Sequence, residues 1–247
     1  GAANRICIEI AAGCVTLDLG GFELVGVANS RDGISITAAG ISSVRVFNGC
    51  VRSFAQDGID LGSISTTGCS VTDVRTSGNG AWGIWVGGSG FVQRCVSVQN
   101  AVGIFSGPNS IIRDCSAASN TGQGIACQTG CTVTDCTSTG NTFDGFSVQI
   151  GCTVVGCTAS ANQGNGIGAD DRCVISNCTA SGNAGTGILV DTGSNASDCV
   201  ASGNGAGFTL GDRASIRGCT AINNAGDGIN ATSYCLIRDN SCSSNAI

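Results

Sequence analysis

The sequence predicts an all-β fold: a right-handed parallel β-helix (solenoid) of about eleven coils, with 20–21 residues and three short strands per coil, in a single domain over residues 1–247. Four columns of residues in one register predict it. A glycine followed by a large apolar residue recurs every 20 or 21 positions, at Gly83-Ile84, Gly103-Ile104, Gly124-Ile125, Gly145-Phe146, Gly166-Ile167, Gly187-Ile188, Gly207-Phe208 and Gly228-Ile229. Two steps of 25 lead in from Gly33-Ile34 and Gly58-Ile59. An asparagine column runs from Asn79 through Asn141, Asn162 and Asn183 to Asn245 at the same spacing. A cysteine column holds Cys95, Cys115, Cys136, Cys157, Cys178, Cys199 and Cys219, and a column of small residues lies five positions earlier, from Cys69 to Cys235. Such a period marks units that bury their apolar faces only against one another.

The strands follow from alternation. Between Gly130 and Ile150 the apolar and small positions are Cys131 and Val133, Cys136 and Ser138, then Phe146 and Val148, broken at Asp135, near Asn141 and near Ile150. That is period two in three short segments, with no helical spacing. Short strands with no hairpin signal pair with their equivalents one coil later, and parallel crossovers are right-handed. The glycine before each apolar residue is expected at φ > 0 or at a close approach. The asparagines are expected to stack at a corner as an amide ladder, while Ile, Val and Phe fill the bore.

The 17 cysteines read as buried free thiols acting as small hydrophobes. Adjacent coils stand about 4.8 Å apart, which strains a disulfide along one column. A linear ladder also does not converge as a zinc site requires, so no metal is expected there. Cys7, Cys14, Cys50, Cys127 and Cys242 lie off the columns, and a disulfide among them stays open.

Composition narrows the function. Formal charge is −6, with 11 basic residues and no histidine, so a nucleic-acid partner is not expected. No apolar run is long enough to span a membrane. With only about ten residues ahead of the first repeat-like strand, and a last coil stopping at Ser244–Ile247, the coil ends are expected to be covered, with end-to-end self-association one way to do it.

The segments "GCTASANQGNGI", "NCTASGNAGTGI" and "DCVASGNGAGF", after an opening "VTLDLGGFELVG", resemble the bacterial right-handed parallel β-helix repeat proteins of the pectate-lyase-like superfamily. The resemblance runs from about Ile8 onward. It implies the fold and a secreted or cell-surface setting, but it spans lyases, glycosidases, epimerases and phage tailspikes alike. The Arg-x-Pro-x-x-Arg element of calcium pectate lyases is missing, since the single proline is Pro108.

Two candidate sites emerge. Counting along the repeat stacks Asp170 on Asp191, Asp171 on Asp212 by way of Thr192, and Arg172 on Arg213. Four carboxylates and two guanidiniums on one turn face would suit general acid/base work, or calcium at Asp170, Asp171 and Asp191; solvated turns carry such residues routinely. Trp82 and Trp85, with Phe91 near, are the candidates for stacking on sugar rings. A third pattern, the outward pairs Thr137/Thr139, Thr158/Ser160 and Thr179/Ser181, resembles the faces of β-helical ice-binding proteins. The expectation is an extracellular, carbohydrate-associating surface module without catalysis and without a cofactor. A polysaccharide lyase or glycoside hydrolase acting on an acidic polysaccharide is the alternative, and ice binding the second alternative.

Overall fold

The structure, a computed structural model, describes residues 5–27, 29–62 and 65–246. Residues 1–4 and Ile247, at the two ends expected to be covered, lie outside them. Each regular coil holds three strands, as in Thr132–Thr134, Thr137–Thr139 and Phe146–Val148. Every strand pairs in parallel with its equivalent in the next coil, so that Phe146 lies against Ile125 on one side and Ile167 on the other. Eleven strands form one sheet, Ile8–Ile10 and the ten that carry the glycine–apolar pairs. The other two strand series join in a 20-stranded second sheet, because the eight-residue strands Arg45–Arg52 and Ser70–Ser77 run through both series before later coils split them.

The bore is filled as the alternation requires. Ile84, Ile104, Ile125, Phe146, Ile167, Ile188 and Phe208 are fully buried in one column, with Val92, Ile112, Val133, Val154 and Ile175 facing them from the second sheet. Each corner has a left-handed residue in every coil. One corner has Asp114, Asp135, Gly156, Asn177 and Asp198; the next has Ser119, Gly140, Ala161, Gly182 and Gly203; the third has Asn109, Gly130, Gly151, Arg172 and Gly193. Asn, Asp and Gly tolerate that region best, which is why these types crowd the turns.

The glycine column has the other of its two expected causes. The glycines before the apolar residues do not have positive φ; they are there because a Cβ has no room. A Cβ on Gly145 would stand 2.7 Å from both Asn162 Nδ2 and the Gly166 carbonyl oxygen, and one on Gly166 would meet Gly187 O at 2.5 Å. The asparagine ladder is the cause of that crowding. Asn141 donates from its backbone N–H (3.0 Å) and from Nδ2 (2.9 Å) to Asn162 Oδ1, and Asn162 repeats both bonds onto Asn183. Asn79 through Asn224 are buried along this ladder.

All 17 cysteines are free thiols, and Cys95 through Cys219 are buried in one stack. Within it, hydrogen bonds between neighbouring thiols and burial hold Cys136, Cys157, Cys178 and Cys199 at about 12. They are neutral packing groups. Cys127 behaves differently: its sulfur lies 4.0 Å from Cys152 Sγ. The cysteines therefore do converge at one place, contrary to the expectation of a ladder that only runs in line. The reason is that Cys127 comes from the first sheet and meets Cys131 and Cys152, thiols of the small-residue column rather than of the Cys95–Cys219 stack, from the side.

The two 25-residue coils depart from the rest at one corner. Four positions separate Val86 from Gly90 and Cys127 from Cys131, but eight separate Leu61 from Cys69 and Ile36 from Val44. The extra residues enlarge the turn that leaves the first sheet, within 36–44 and 61–69.

Candidate functional site

Outward positions of the first sheet lie one residue after each buried apolar residue. In successive coils they are Asp60, Trp85, Phe105, Ala126 and Ser147, and strand register aligns Asp60 with Trp85 and Trp85 with Phe105. Trp82 leaves the same face two residues before Ile84. The three rings gather there. Trp82 and Trp85 have centroids 4.5 Å apart, and Phe105 lies 6.2 Å from Trp82 and 5.9 Å edge-on to Trp85. All three are half-buried, so each keeps ring surface open to solvent. Phe91 is not part of the cluster; it stands on the second sheet under the Arg113 guanidinium, 5.1 Å from its ring.

Shallow grooves flank the cluster. One is walled by the enlarged turn, with Gly62 and Thr66 facing Trp85, Phe105 and Pro108. Gly62 is required there, since any Cβ would collide with the Trp85 indole. The other runs past Trp82 and Phe105 to Gln123, Ser147 and Gln149.

Three carboxylates adjoin the aromatics on the N-terminal side. Asp32, Asp57 and Asp60 are only 1%, 7% and 3% exposed. Asp57 Oδ1 accepts the Trp82 N–H at 2.9 Å, and Asp32 Oδ1 accepts the Asp57 N–H at 3.2 Å. Asp60 accepts from the Gly62 N–H at 3.0 Å and faces Ser35 Oγ at 3.5 Å. Arg31 Nε stands 3.2 Å from Asp32. Burial pushes the Asp57 carboxyl up to about 7, and the charges of Asp60 and Asp32 add to the rise against the Trp82 N–H. Asp32 is raised for the same first reason. A carboxyl that exchanges its proton near neutrality beside an open aromatic platform is chemically competent as acid or base.

Phe105 and these carboxylates were not singled out from the sequence, though a signal was there. Phe105 follows Gly103-Ile104 as Trp85 follows Gly83-Ile84, and Asp60 follows Gly58-Ile59 in the same way. The expected acidic turn stands further along the rod. Asp170 and Asp191 succeed Gln128 and Gln149 at the corner leaving the first sheet, each donating its N–H to the coil before. Burial, then repulsion from Asp191 and Asp171, raises Asp170. Asp191 Oδ1 accepts the Thr192 N–H at 2.8 Å, and Asp212 is lowered by hydrogen bonds from Thr232 and Ser233. Arg213 lies over the Tyr234 ring at 5.8 Å, and Arg172 is exposed. Among the described residues, one set of three acidic, cysteine or histidine ligand atoms lies within 4.8 Å of one another: Cys127, Cys131 and Cys152. The acidic turn does not gather in that way. The Thr/Ser pairs stack as the repeat requires, with Thr139 and Ser160 hydroxyls 2.9 Å apart.

Comparison with known proteins agrees with this architecture. The family described as right-handed β-helix region matches residues 25–167 and 149–247. No curated protein matches in sequence. Among solved structures, the A-module of the Azotobacter vinelandii mannuronan C-5 epimerase AlgE4 superposes with a TM-score of 0.62 at 16% identity, covering 97% of this chain and 86% of that one. The periplasmic alginate epimerase AlgG, as a double mutant, gives 0.59 at 13% identity over 94% of this chain and 77% of that one. The tailspike gp49 of Acinetobacter baumannii bacteriophage Fri1, a capsular polysaccharide depolymerase, gives 0.57 at 11% identity; this chain is covered over 97% and spans 57% of the tailspike. At these identities the likeness is one of fold.

Proposed function

The chain belongs to the right-handed β-helix family, and on that scaffold we propose that it is an extracellular polysaccharide-binding module holding its glycan along the outer face of the first sheet. One observation carries the reading: Trp82, Trp85 and Phe105 gather on that face, half-open and flanked by grooves. Sugar rings present apolar C–H faces that stack on such rings, and Gln123, Gln149 and Ser147 supply hydroxyl partners beside them. Coils about 4.8 Å apart offer a repeating set of contacts to a chain of pyranose units laid parallel to the rod. Asp170 and Asp191 continue the corner line of Gln128 and Gln149, so a long chain would reach them. The polysaccharide epimerases and depolymerase of similar fold lend general support to a glycan partner.

Binding without turnover is the primary reading, because the carboxylates beside the rings are committed to backbone N–H groups, Asp57 to that of Trp82, Asp32 to that of Asp57 and Asp60 to that of Gly62. Catalysis is the second reading, favoured by the Asp57 carboxyl held near 7 beside the platform. A glycan array followed by calorimetry on the best neutral and uronic-acid oligosaccharides tests the first reading. Trp85→Ala is expected to weaken binding about tenfold, the worth of one aromatic stack. Unchanged affinity in Trp85→Ala and Phe105→Ala would refute the face. Product analysis on the same polymers tests the second, with Asp57→Asn expected to abolish any turnover.

A further inference from the structure

We propose that Cys127, Cys131 and Cys152 form a buried binding site for a soft monovalent metal ion of the Cu(I) class, held by three sulfur atoms. The three Sγ atoms lie within 4.8 Å of one another, with Cys127 and Cys152 at 4.0 Å. Each residue is at most 2% exposed. Within a straight ladder a thiol has neighbours above and below only, and two sulfurs in line do not enclose an ion. Cys127 changes that by entering from the first sheet, so that three sulfurs from two sides of the bore surround one point.

Two of the sulfurs already accept backbone N–H groups, and Cys131 and Cys152 as thiols donate to the Gly107 and Gln128 carbonyl oxygens at 3.2 and 3.1 Å, protons that an ion would displace. Cys131 Sγ accepts the Ser110 N–H at 3.4 Å and faces Ser106 Oγ at 3.8 Å, and Cys152 Sγ accepts the Cys131 N–H at 3.3 Å. Such outer contacts orient and stabilise ligating thiolates. Cu(I) is a soft ion suited to thiolates, whereas structural zinc takes four ligands in a tetrahedron. Uptake replaces three S–H bonds by three S–Cu bonds and releases three protons: Cu⁺ + 3 RSH → [Cu(SR)₃]²⁻ + 3 H⁺. No electron moves. The exposed Thr129–Gly130 turn lies between Cys127 and Cys131, so one turn of chain separates the sulfurs from solvent.

The chain supplies its own control. In other coils the position of Cys127 holds Val86, Val148 and Val190, all buried. Cys127→Val is therefore expected to fold, which far-ultraviolet circular dichroism checks. Cu(I), given anaerobically as its bicinchoninate complex to the reduced native protein, is expected to bind with one more equivalent per chain in the wild type than in Cys127→Val. Cys157→Ala, which removes a ladder thiol, is expected to keep that equivalent. X-ray absorption at the copper edge is expected to show three sulfur neighbours at it. Equal uptake by wild type and Cys127→Val would assign all copper to exposed thiols such as Cys7, Cys14 and Cys242 and overturn the site. Loss of the equivalent in Cys157→Ala, or two sulfur neighbours instead of three, would overturn it as well.

Discussion

Replacing Asn162 by leucine and by serine measures what the asparagine ladder contributes. The Asn162 amide makes four bonds: Oδ1 accepts the Asn141 N–H (3.0 Å) and Asn141 Nδ2 (2.9 Å), and Nδ2 donates to Ser138 O (3.1 Å) and Asn183 Oδ1 (2.9 Å). Leucine removes all four. Asn183 Oδ1 still receives the Asn162 backbone N–H, and Asn141 Nδ2 still reaches Ser138 Oγ at 3.0 Å. The Asn141 N–H loses its acceptor and stays buried. One orphaned donor costs about 1–3 kcal/mol, and each of the other lost bonds about 1 kcal/mol. Leucine also presses a branched side chain toward Gly145, where even a methyl group would stand 2.7 Å from the present amide. The expected loss is about 4–6 kcal/mol. Serine should do better, because serine already performs this task elsewhere: Ser110 Oγ accepts the Gly90 N–H and Ser194 Oγ the Cys173 N–H, both at 2.9 Å. About 1–2 kcal/mol is expected for Asn162→Ser. Urea unfolding followed by circular dichroism, with the slope compared between variants, measures both. Stabilities of the two variants agreeing within about 0.5 kcal/mol would refute the ladder as a source of stability.

Gly145→Ala is expected to cost more than Gly151→Ala, since the first meets Asn162 and Gly166 while the second, at φ 70°, has nothing within 4 Å and bears only the left-handed penalty of about 1–2 kcal/mol; the reverse order in urea melts would contradict the close-approach account. Asp57 makes stability fall with rising pH. Its folded value of about 7 lies above its ordinary 3.8, so its contribution is full below about 4, declines between 4 and 7, and is level beyond. Three units correspond to at most about 4 kcal/mol, and partial hydration of the site reduces that to about 2–3. Asp57→Asn keeps an acceptor for the Trp82 N–H and should flatten the profile, as melts from pH 4 to 8 would register. Thiol titration should find the stack from Cys95 to Cys219 unreactive in the native protein and all 17 cysteines reactive in denaturant. Cys157→Ser is expected to cost about 1–3 kcal/mol through a poorly satisfied hydroxyl.

Sequence reading went furthest where one physical demand repeats in every coil. Gly145, Asn162 and Cys157 each sit in a column because the same corner or bore position recurs, and a recurring demand leaves a recurring letter. Even so, the letter does not name its cause. The glycine column admitted a backbone explanation and a packing one, and only the position of the Asn162 amide against Gly145 separates them. The candidate site was harder to read for the opposite reason: it occurs once. Trp85 stood out as a rare residue type, but its partner Phe105 and neighbour Asp60 became significant only when strands one coil apart were set side by side.

The position of the aromatic face follows from the two irregular coils. A uniform β-helix presents the same shallow surface along its length, with no wall against which a ligand can be held. Additional residues can enter only at turns, because a longer strand would put inward side chains out of register. Both 25-residue steps place their extra residues at the corner leaving the first sheet. The second of these turns carries Gly62 and Thr66 against Trp85 and covers one side of the rings. Asp57 and Asp60 lie in that same coil, and the burial of Asp57, with the charges of Asp60 and Asp32 beside it, is what raises Asp57. Shortening 61–69 to the four-residue spacing of Val86–Gly90 is therefore expected to leave the solenoid folded, expose Asp60 and Trp85, and return Asp57 toward its ordinary value. Circular dichroism would follow the first effect, and carboxyl chemical shifts across pH 3 to 8 the last. An Asp57 still titrating near 7 in the shortened chain would show that the enlarged turn does not create the site.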